Sequence, residues 1–440
     1  MSAPTVRKHL SADALLGSLR SGFGAIADHR LGDIDISLTD ALMSAFALFS
    51  LKSPSLLAFD KERTESNLQQ VYGIERVPCD TAMREILDPV EPESLRPLFQ
   101  RVFGALQRGK ALAAMVFVEG HYLLALDGTG YFSSQQIHCE ACLETHHRNG
   151  TVTYRHQMLG AALVHPERRE VIPLMPEPII KHDGTDKNDC ERNAAKRLIA
   201  KLRQDHPHLK LIVTEDSLSS NAPHIQVLQD HHLHYILGVK EGDHAYLFEH
   251  VAAAEQAGRV TYYDRDDPET GRHHRFRFVS AVPLNESNAN LRVNFLECWE
   301  WDQTKDTVQH FSWVTDLRVH KGTVYQLMRG GRARWRIENE TFNTLKNQGY
   351  HFEHNFGHGY QHLSVVFAIL MMLAFLVDQV QQMCCPLFQA VWVKLGSKRR
   401  LWEKMRALFY DYALESMRHL FEALFYGLKK SAPSFASDTS

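Results

Sequence analysis

The chain has 440 residues, more than one ordinary compact core holds, which predicts two or three structural units. Hydrophobic residues make up 44% and charged residues 23%, and these proportions exclude a largely disordered chain. A net charge of −3 excludes the strongly basic composition of proteins that coat nucleic acids. The first residues lack the charged and apolar pattern of an export signal, so we expect a cytoplasmic protein whose seven cysteines form no disulfide framework.

Residues 1–112 are predicted to form a helical N-terminal domain. The segment Ile36–Phe49 places apolar residues at helical spacing behind a cap at Ser37 or Thr39. Periodicity does not distinguish a domain that binds DNA from one that only packs against the rest of the chain. Both interpretations stay open, and no helix-turn-helix is recognised.

From residue 113 the pattern changes to alternating strands and helices. Strands are predicted at 123–127, 152–164, 171–180, 209–213 and 235–239, and helices at 188–204 and 222–229. Three strands followed by helix, strand, helix and strand predict an α/β fold, a mixed sheet covered by helices. We assign residues 113–243 and 319–385 to this unit.

Residues 244–318 are predicted to form an inserted β-rich subdomain, because alternating apolar residues recur at 275–279, 292–296 and 311–314. The chain is predicted to be helical again from 323 to 345, with a C-terminal helical region at 386–430 and a disordered tail at 431–440. The longest apolar run, Val365–Val377, falls short of the roughly 20 residues that span a bilayer. It predicts a buried helix and no membrane association.

Two aspartates follow buried strand segments. Asp127 ends the run Leu123-Leu-Ala-Leu and precedes two glycines that let a ligand approach the backbone closely. Asp216 follows the strand at 209–213, at the carboxyl end where open α/β sheets place ligands. Its neighbour Glu215 is the alternative. Each aspartate taken alone is also typical of an ordinary turn or cap.

A glutamate in the later helical segment completes a set of three acids. Glu338 is predicted to share one helix face with Trp335, Phe342 and Leu345. A salt bridge from Arg334, one turn earlier, is the structural explanation for a carboxylate at that position, and a bound metal is the functional one.

Oxygen ligands from Asp127, Asp216 and Glu338 suit Mg²⁺, with Mn²⁺ as the alternative. Two such ions would serve phosphoryl transfer, one at the attacking oxygen and one at the leaving oxygen. The three acids are therefore predicted to be both catalytic and metal-binding.

A second group of potential metal ligands lies between residues 138 and 147. Cys139 and Cys142, together with His138, His146 and His147, have a spacing found in zinc sites, although no second Cys-x-x-Cys pair follows. The alternative is a polar loop with two partly buried thiols. The histidines from His351 to His362 are interpreted as polar contacts around a glycine-rich turn, without a metal.

These residues carry a resemblance to a known family. Leu126-Asp-Gly-Thr129, Thr214-Glu-Asp-Ser-Leu218 and Arg334-Trp-Arg-Ile-Glu338 are similar to the active-site motifs of DDE transposases from bacterial insertion sequences. The resemblance covers about residues 120–360. It implies a ribonuclease-H-like catalytic domain, with a β-rich insertion between the second Asp and the Glu.

One subgroup of that family carries a Tyr-Arg-Glu-Lys signature. Arg334 and Glu338 match it, whereas Gly331 replaces the Tyr and Leu345 the Lys, with Lys346 one place later. The resemblance implies phosphate contacts from Arg334 and Lys346. Residues predicted to bind DNA are Arg332, Arg334, Trp335, Arg336 and Lys346, although packing in the core is the alternative for the tryptophan.

The resemblance also implies cut-and-paste transposition. The expected partners are double-stranded DNA, as terminal inverted repeats and target, and a second copy of the chain in a synaptic complex. Two alternatives remain: an inactive, transposase-derived DNA-binding protein, and a metal-dependent nuclease that does not join strands.

Overall fold

The computed structural model describes residues 8–181, 189–302 and 306–427. The predicted tail at 431–440 lies outside these residues. The N-terminal helices are α1 (Ala12–Phe23), α2 (Leu38–Ser50), α3 (Leu56–Lys61), α4 (Ser66–Tyr72), α5 (Asp80–Leu87) and α6 (Arg96–Arg108). Ser37, not Thr39, caps α2, since its hydroxyl accepts a hydrogen bond from the Asp40 amide.

The central part of the chain alternates between strands and helices. Its elements are β1 (Val116–Val118), β2 (His121–Ser134), β3 (Leu143–His146), β4 (Val152–Val164), β5 (Ile172–Pro173), β6 (Glu177–Ile179), α7 (Glu191–Asp205), β7 (Leu211–Glu215), α8 (Ala222–Asp230) and β8 (His234–Gly238). The strand predicted at 171–180 is two short strands on the edge of β4. Prolines interrupt it, because proline lacks the amide that a longer strand needs.

The β-rich segment that follows extends the same sheet. Its elements are α9 (Ala245–Gln256), β9 (Thr261–Asp267), β10 (Arg272–Pro283), β11 (Arg292–Asp302) and β12 (Thr307–Thr315). β12 pairs antiparallel with β8, with Trp313 opposite Gly238. The main path of the 12-stranded sheet is therefore β3-β4-β2-β7-β8-β12-β11-β10-β9.

The last third of the described chain is helical. Its elements are α10 (Val324–Arg332), a π-helix (Ile337–Phe342), α11 (Asn343–Asn347), α12 (Leu363–Cys384), α13 (Pro386–Leu395), α14 (Lys398–Asp411) and α15 (Met417–Tyr426). The helix predicted from 323 to 345 is thus interrupted after Arg332 and resumes in π geometry.

The apolar helix α12 packs in the protein interior. The buried helix predicted for Val365–Val377 is confirmed, and it extends beyond that run to 22 residues. By length and composition α12 could cross a bilayer, but 94% of its most apolar 18-residue window is buried. It contacts α2, α6 and β5, which identifies it as a core helix joining the N-terminal helices to the sheet.

Candidate active site

Asp127 and Asp216 lie at neighbouring positions in the sheet. β2 and β7 run parallel, and their last paired residues are Ala125 and Thr214. Asp127 follows Ala125 by two residues, and Asp216 follows Thr214 by two. Both therefore lie near the point where the parallel pairing of the two strands ends. Both aspartates line a groove of about 490 Å³, together with Glu191.

Asp127 is partly buried and paired with one cation. Its Oδ2 accepts a hydrogen bond from Arg334 Nη1 at 3.1 Å, and its Oδ1 accepts one from the Gly128 amide at 3.0 Å. Burial raises the pKa of Asp127 to about 6, against the opposing effect of Arg334. The negative charges of Asp216 and Glu338 raise this pKa further, so both acids are close enough to repel the Asp127 carboxylate.

Glu191 is a fourth acid that the sequence analysis missed. It stands in the first turn of α7, and a Cβ at position 128 would overlap its carboxylate. Only glycine at 128 leaves room for this approach. Burial, and then the charges of Asp127 and Asp216, raise the pKa of Glu191. The one available signal was an acidic residue at a predicted helix start, which is common in ordinary helices.

Glu215, the alternative to Asp216, is engaged elsewhere. It is buried, its Oε2 lies 2.5 Å from His224 Nε2, and its Oε1 accepts a hydrogen bond from the Ser219 hydroxyl at 3.1 Å. Asp216 instead caps the short turn that follows β7, where its Oδ1 accepts a hydrogen bond from the Leu218 amide, and it lines the groove beside Asp127. The geometry therefore favours Asp216 as the acid beside Asp127.

Glu338 lies in the π-helix and is exposed. Within the described part of the chain its carboxylate has no hydrogen-bond or ion-pair partner. The predicted alternative, a salt bridge from Arg334, is wrong because Arg334 turns to Asp127 instead. Phe342 anchors this helix to the sheet, with its ring against Gly160, the residue that pairs with Asp127 across β2 and β4.

The predicted common face of Trp335, Glu338, Phe342 and Leu345 is wrong. Phe342 and Leu345 are buried, whereas the Trp335 side chain is 55% exposed. A tight turn at Ala333 and Arg334 followed by the π-helix changes the angular spacing of side chains that a regular helix would give. The alternative role of Trp335 in core packing is therefore excluded.

The basic residues predicted to bind DNA each have a partner in the protein. Arg332 pairs with Glu300 at 2.6 Å, and Lys346 with Glu353 at 2.9 Å. Arg336 pairs with Glu340 at 3.3 Å. A cleft of about 800 Å³ is lined by Arg332, Trp335, Arg336 and several residues of the β-rich segment.

Cys139 and Cys142 belong to a separate cluster and lie in the segment between β2 and β3. They are brought together with His156 and His358, neither of which was predicted as a ligand. His358, interpreted from the sequence as a turn contact without a metal, is one of these four residues. The two cysteines were the correct part of the local signal, whereas the neighbouring His138, His146 and His147 are not in the cluster. His156 and His358 lie outside the segment 138–147, so that segment could not indicate them.

The mixed sheet, with acids at the end of a parallel strand pair, defines an α/β protein of the ribonuclease-H-like class. Comparison with protein families finds a match to the family described as "Transposase DDE domain", over residues 125–376. This match covers more than half of the chain, which therefore belongs to the DDE transposase family. The predicted family and fold class are confirmed. A search of curated proteins finds no match.

Proposed function

We propose that the protein is a DNA transposase that cleaves the ends of a mobile element and joins them to target DNA, with Asp127, Asp216 and Glu338 as its catalytic acids. The observation that carries this proposal is that the negative charges of Asp216 and Glu338 both act on the Asp127 carboxylate, near the point where the parallel pairing of β2 and β7 ends. The three acids come from β2, from the turn after β7 and from the π-helix, and Arg334 is the cation paired to Asp127.

The donor set suits divalent metal ions. Neighbouring carboxylates raise the pKa of Asp127 and of Glu191, and a bound cation would relieve this repulsion. Carboxylates are also the ligands that Mg²⁺ and Mn²⁺ prefer. Asp127, Asp216 and Glu338 would hold the metal, with Glu191 as a fourth candidate. Bound ions would supply charge stabilisation at the attacking and leaving oxygens of a phosphodiester.

Arg334 is placed to exchange partners when DNA binds. Its guanidinium lies 3.1 Å from the Asp127 carboxylate and is largely buried. If Asp127 holds a metal, this guanidinium would be free to donate paired hydrogen bonds to a phosphate next to the cleavage point. Arg334 thus stabilises the acidic cluster before DNA arrives and positions the phosphate afterwards.

The π-helix accounts for the displaced lysine. In a π-helix each turn holds one residue more than in an α-helix, because hydrogen bonds run from residue i to i+5. The π-helix contains Glu338 and ends at Phe342, before Lys346. Lys346, the eighth residue after Glu338, therefore occupies the helix face that the seventh residue would occupy in a regular α-helix. Leu345, at the seventh place, is buried, which supports Lys346 as the phosphate contact.

The 800 Å³ cleft supplies further DNA contacts in this proposal. Arg332 and Arg336 would bind phosphates, and the exposed Trp335 ring would stack on a base. The DNA partners would be the terminal repeats and the target, and two copies of the chain would bring two ends together.

The test uses DNA carrying the ends of the element, with Mg²⁺, and measures cleavage and joining separately. We expect both products from the wild-type chain. Asp127→Asn, Asp216→Asn and Glu338→Gln should each lower cleavage by more than about a hundredfold, because a lost ligand removes transition-state stabilisation. Asp230→Asn, an exposed acid at the end of α8, is the matched control and should stay within about twofold.

The outcomes separate the alternatives. Cleavage without joining would identify a nuclease. DNA binding without cleavage would identify an inactive derivative. If the three acid variants stay within about tenfold of wild type, the assignment of the active site is wrong.

A further inference from the structure

Four side chains with soft or borderline ligand atoms converge beside β2 and β4. Cys139 Sγ lies 3.8 Å from Cys142 Sγ and 3.4 Å from His156 Nε2. Cys142 Sγ lies 3.4 Å from His156 Nε2 and 3.5 Å from His358 Nε2. All four ligand atoms lie within 4.8 Å of one another.

These separations match the edges of a zinc tetrahedron. Zinc bonds of about 2.3 Å to sulfur and about 2.0–2.1 Å to nitrogen imply edges of roughly 3.8 Å between sulfurs and roughly 3.5 Å between sulfur and nitrogen. The observed 3.8 Å and 3.4–3.5 Å agree with both values. A disulfide would require its sulfurs about 2.0 Å apart, so the two thiols are not bonded to each other.

We propose that Cys139, Cys142, His156 and His358 form a structural zinc site. Cys142 and His156 are each 1% exposed and His358 is 8% exposed, while Cys139 is partly buried, so most of the site is shielded from solvent. Four protein ligands without an open position are typical of structural zinc, whereas catalytic zinc keeps one position free. The Cys139 amide also donates a hydrogen bond to Cys142 Sγ, which stabilises a thiolate there.

His358 is held in place from two directions. The loop after it is anchored by Asp88, whose carboxylate accepts the amides of Tyr360, Gln361, His362 and Leu363. Gly359 permits this contact, because a Cβ there would overlap the Asp88 carboxylate. On the other side, the His358 ring packs against Phe132 with centroids 4.4 Å apart. The ring is thus positioned before any metal binds.

The site joins three segments that are far apart in the chain. The cysteines lie between β2 and β3, His156 lies on β4, and His358 lies on the loop from α11 to α12. That loop follows the helical segment that carries Glu338 and Lys346. Zinc would therefore fix the chain leaving the proposed active site against the sheet.

The zinc site is separate from the acidic cluster. His156 pairs with Phe132 on β2, five residues beyond Asp127. At about 3.4 Å per residue the two sites lie roughly 17 Å apart along the strand. The proposal therefore stands whether or not the chain is an active transposase.

The test measures zinc in the full chain, expressed with added zinc and purified without a chelator or a histidine tag. Elemental analysis should give about one zinc per chain. Cys142→Ser and His358→Asn should fall below about a fifth of an equivalent. Cys79→Ser, a cysteine at the start of α5 outside the cluster, and Asp127→Asn should both keep about one equivalent, which separates this metal from any ion at the acids.

Cobalt provides a readout that needs no variant. Co²⁺ added to the zinc-free chain should give the visible absorption of a tetrahedral site and the sulfur-to-metal bands of two thiolates. Removing zinc should lower the thermal unfolding midpoint, because metal bound only to the folded state stabilises it. Less than about a tenth of an equivalent of zinc, a Cys139–Cys142 disulfide by mass, or full zinc in Cys142→Ser would each overturn the proposal.

Discussion

At the scale of single residues, Asp127 stands out because its ionised form is disfavoured in the free protein. Burial raises its pKa to about 6, and neighbouring acids add to the shift, while Arg334 opposes it. A carboxyl group that is easier to protonate in the folded state makes the fold less stable above its pKa. The proposed metal site is therefore expected to lower the stability of the folded protein as long as no metal is bound.

Asp127→Asn should stabilise the metal-free protein while abolishing cleavage. The raised pKa corresponds to a gain on the order of 1–3 kcal/mol in the free energy of unfolding at pH 7.5. The gain should shrink as the pH falls from about 6 towards 4, where the wild-type carboxyl is protonated in the folded state as well. Denaturant unfolding at several pH values measures this.

The control for this prediction is Asp230→Asn, which should change the free energy of unfolding little at any of these pH values. Added Mg²⁺ should stabilise the wild type and not Asp127→Asn. A variant that is less stable than the wild type at pH 7.5 would contradict the environment described for Asp127.

Glu191 offers a second prediction at this scale. Glu191→Gln removes one of four negative charges, so the Mg²⁺ concentration for half-maximal cleavage should rise by about tenfold or more. Because Glu215 is bound to His224, Glu215→Gln should leave the Mg²⁺ dependence unchanged and instead lower thermal stability. Equal Mg²⁺ dependence in Glu191→Gln and wild type would exclude Glu191 as a ligand.

The sequence allowed some of these residues to be predicted and not others. Asp127 and Asp216 stand out because each follows a buried apolar strand. The Arg334–Asp127 contact spans 207 residues, and no local pattern encodes it. His358 is 216 residues from Cys142, so only the folded chain reveals that they share a site.

At the scale of secondary structure, the position of Glu338 depends on how its helix docks on the sheet. Phe342 fills the space above Gly160, whose strand neighbour is Asp127. A side chain at 160 would push this helix away from the sheet, and Glu338 with it.

Gly160→Ala should therefore impair cleavage more than folding. The added Cβ would lie 2.7 Å from Phe342 Cζ, which forces the ring or the helix to move. We expect a loss of about 1–3 kcal/mol in stability and a reduction in cleavage rate of more than about tenfold at saturating Mg²⁺.

Gly17→Ala is the matched control, because position 17 lies in α1 with no atom within 4 Å of the added Cβ. It should gain about 0.5–1 kcal/mol, as alanine is the better helix former. Normal cleavage by Gly160→Ala would show that the Phe342 contact does not position Glu338.

Strands with strong apolar runs were predictable from the sequence, whereas polar strands were not. β9 and β3 contain mostly polar residues, such as Tyr262-Tyr-Asp-Arg-Asp266, and were missed. The π-helix could not be predicted either, because the spacing of its apolar residues fits a regular α-helix equally well. The fold class can therefore be predicted from the sequence. Which side of its helix each residue around Glu338 occupies cannot be.

At the scale of the whole molecule, the charge balance limits how DNA can bind. The net charge is −3, and the proposed DNA contacts Arg332, Arg336 and Lys346 are paired with acids in the free protein. DNA must compete with these internal partners. Binding is therefore expected to be concentrated at the cleft and the acidic groove, and not spread over the surface.

The salt dependence of DNA binding measures this directly. Four phosphate contacts, from Arg332, Arg334, Arg336 and Lys346, predict a slope of log K against log salt of about −3 to −4. Arg336→Gln should reduce its magnitude by about 1, whereas Lys404→Gln on α14 should not change it. A slope beyond about −8 would show that other basic surfaces, such as Lys394 to Arg400, dominate.

The division into an N-terminal domain at 1–112, a catalytic domain and an insertion at 244–318 stays a prediction. What the structure adds is that the strands of the predicted insertion are hydrogen-bonded to the central sheet through β8 and β12. The N-terminal helices likewise contact α12 and α15. Separate expression of 1–112 would test whether this part folds alone.

The pairing of β12 with β8 also constrains how such a chain can evolve. Losing the whole segment 244–318 would leave the buried strand β8 with a bare edge, which invites pairing with other chains and aggregation. Changes to the outer strands β9 and β10 leave β8 covered. Descendants of this protein should therefore vary freely in the outer strands while retaining β12. Deletions are expected to be tolerated at β9 and β10, but not at β12, which pairs with β8.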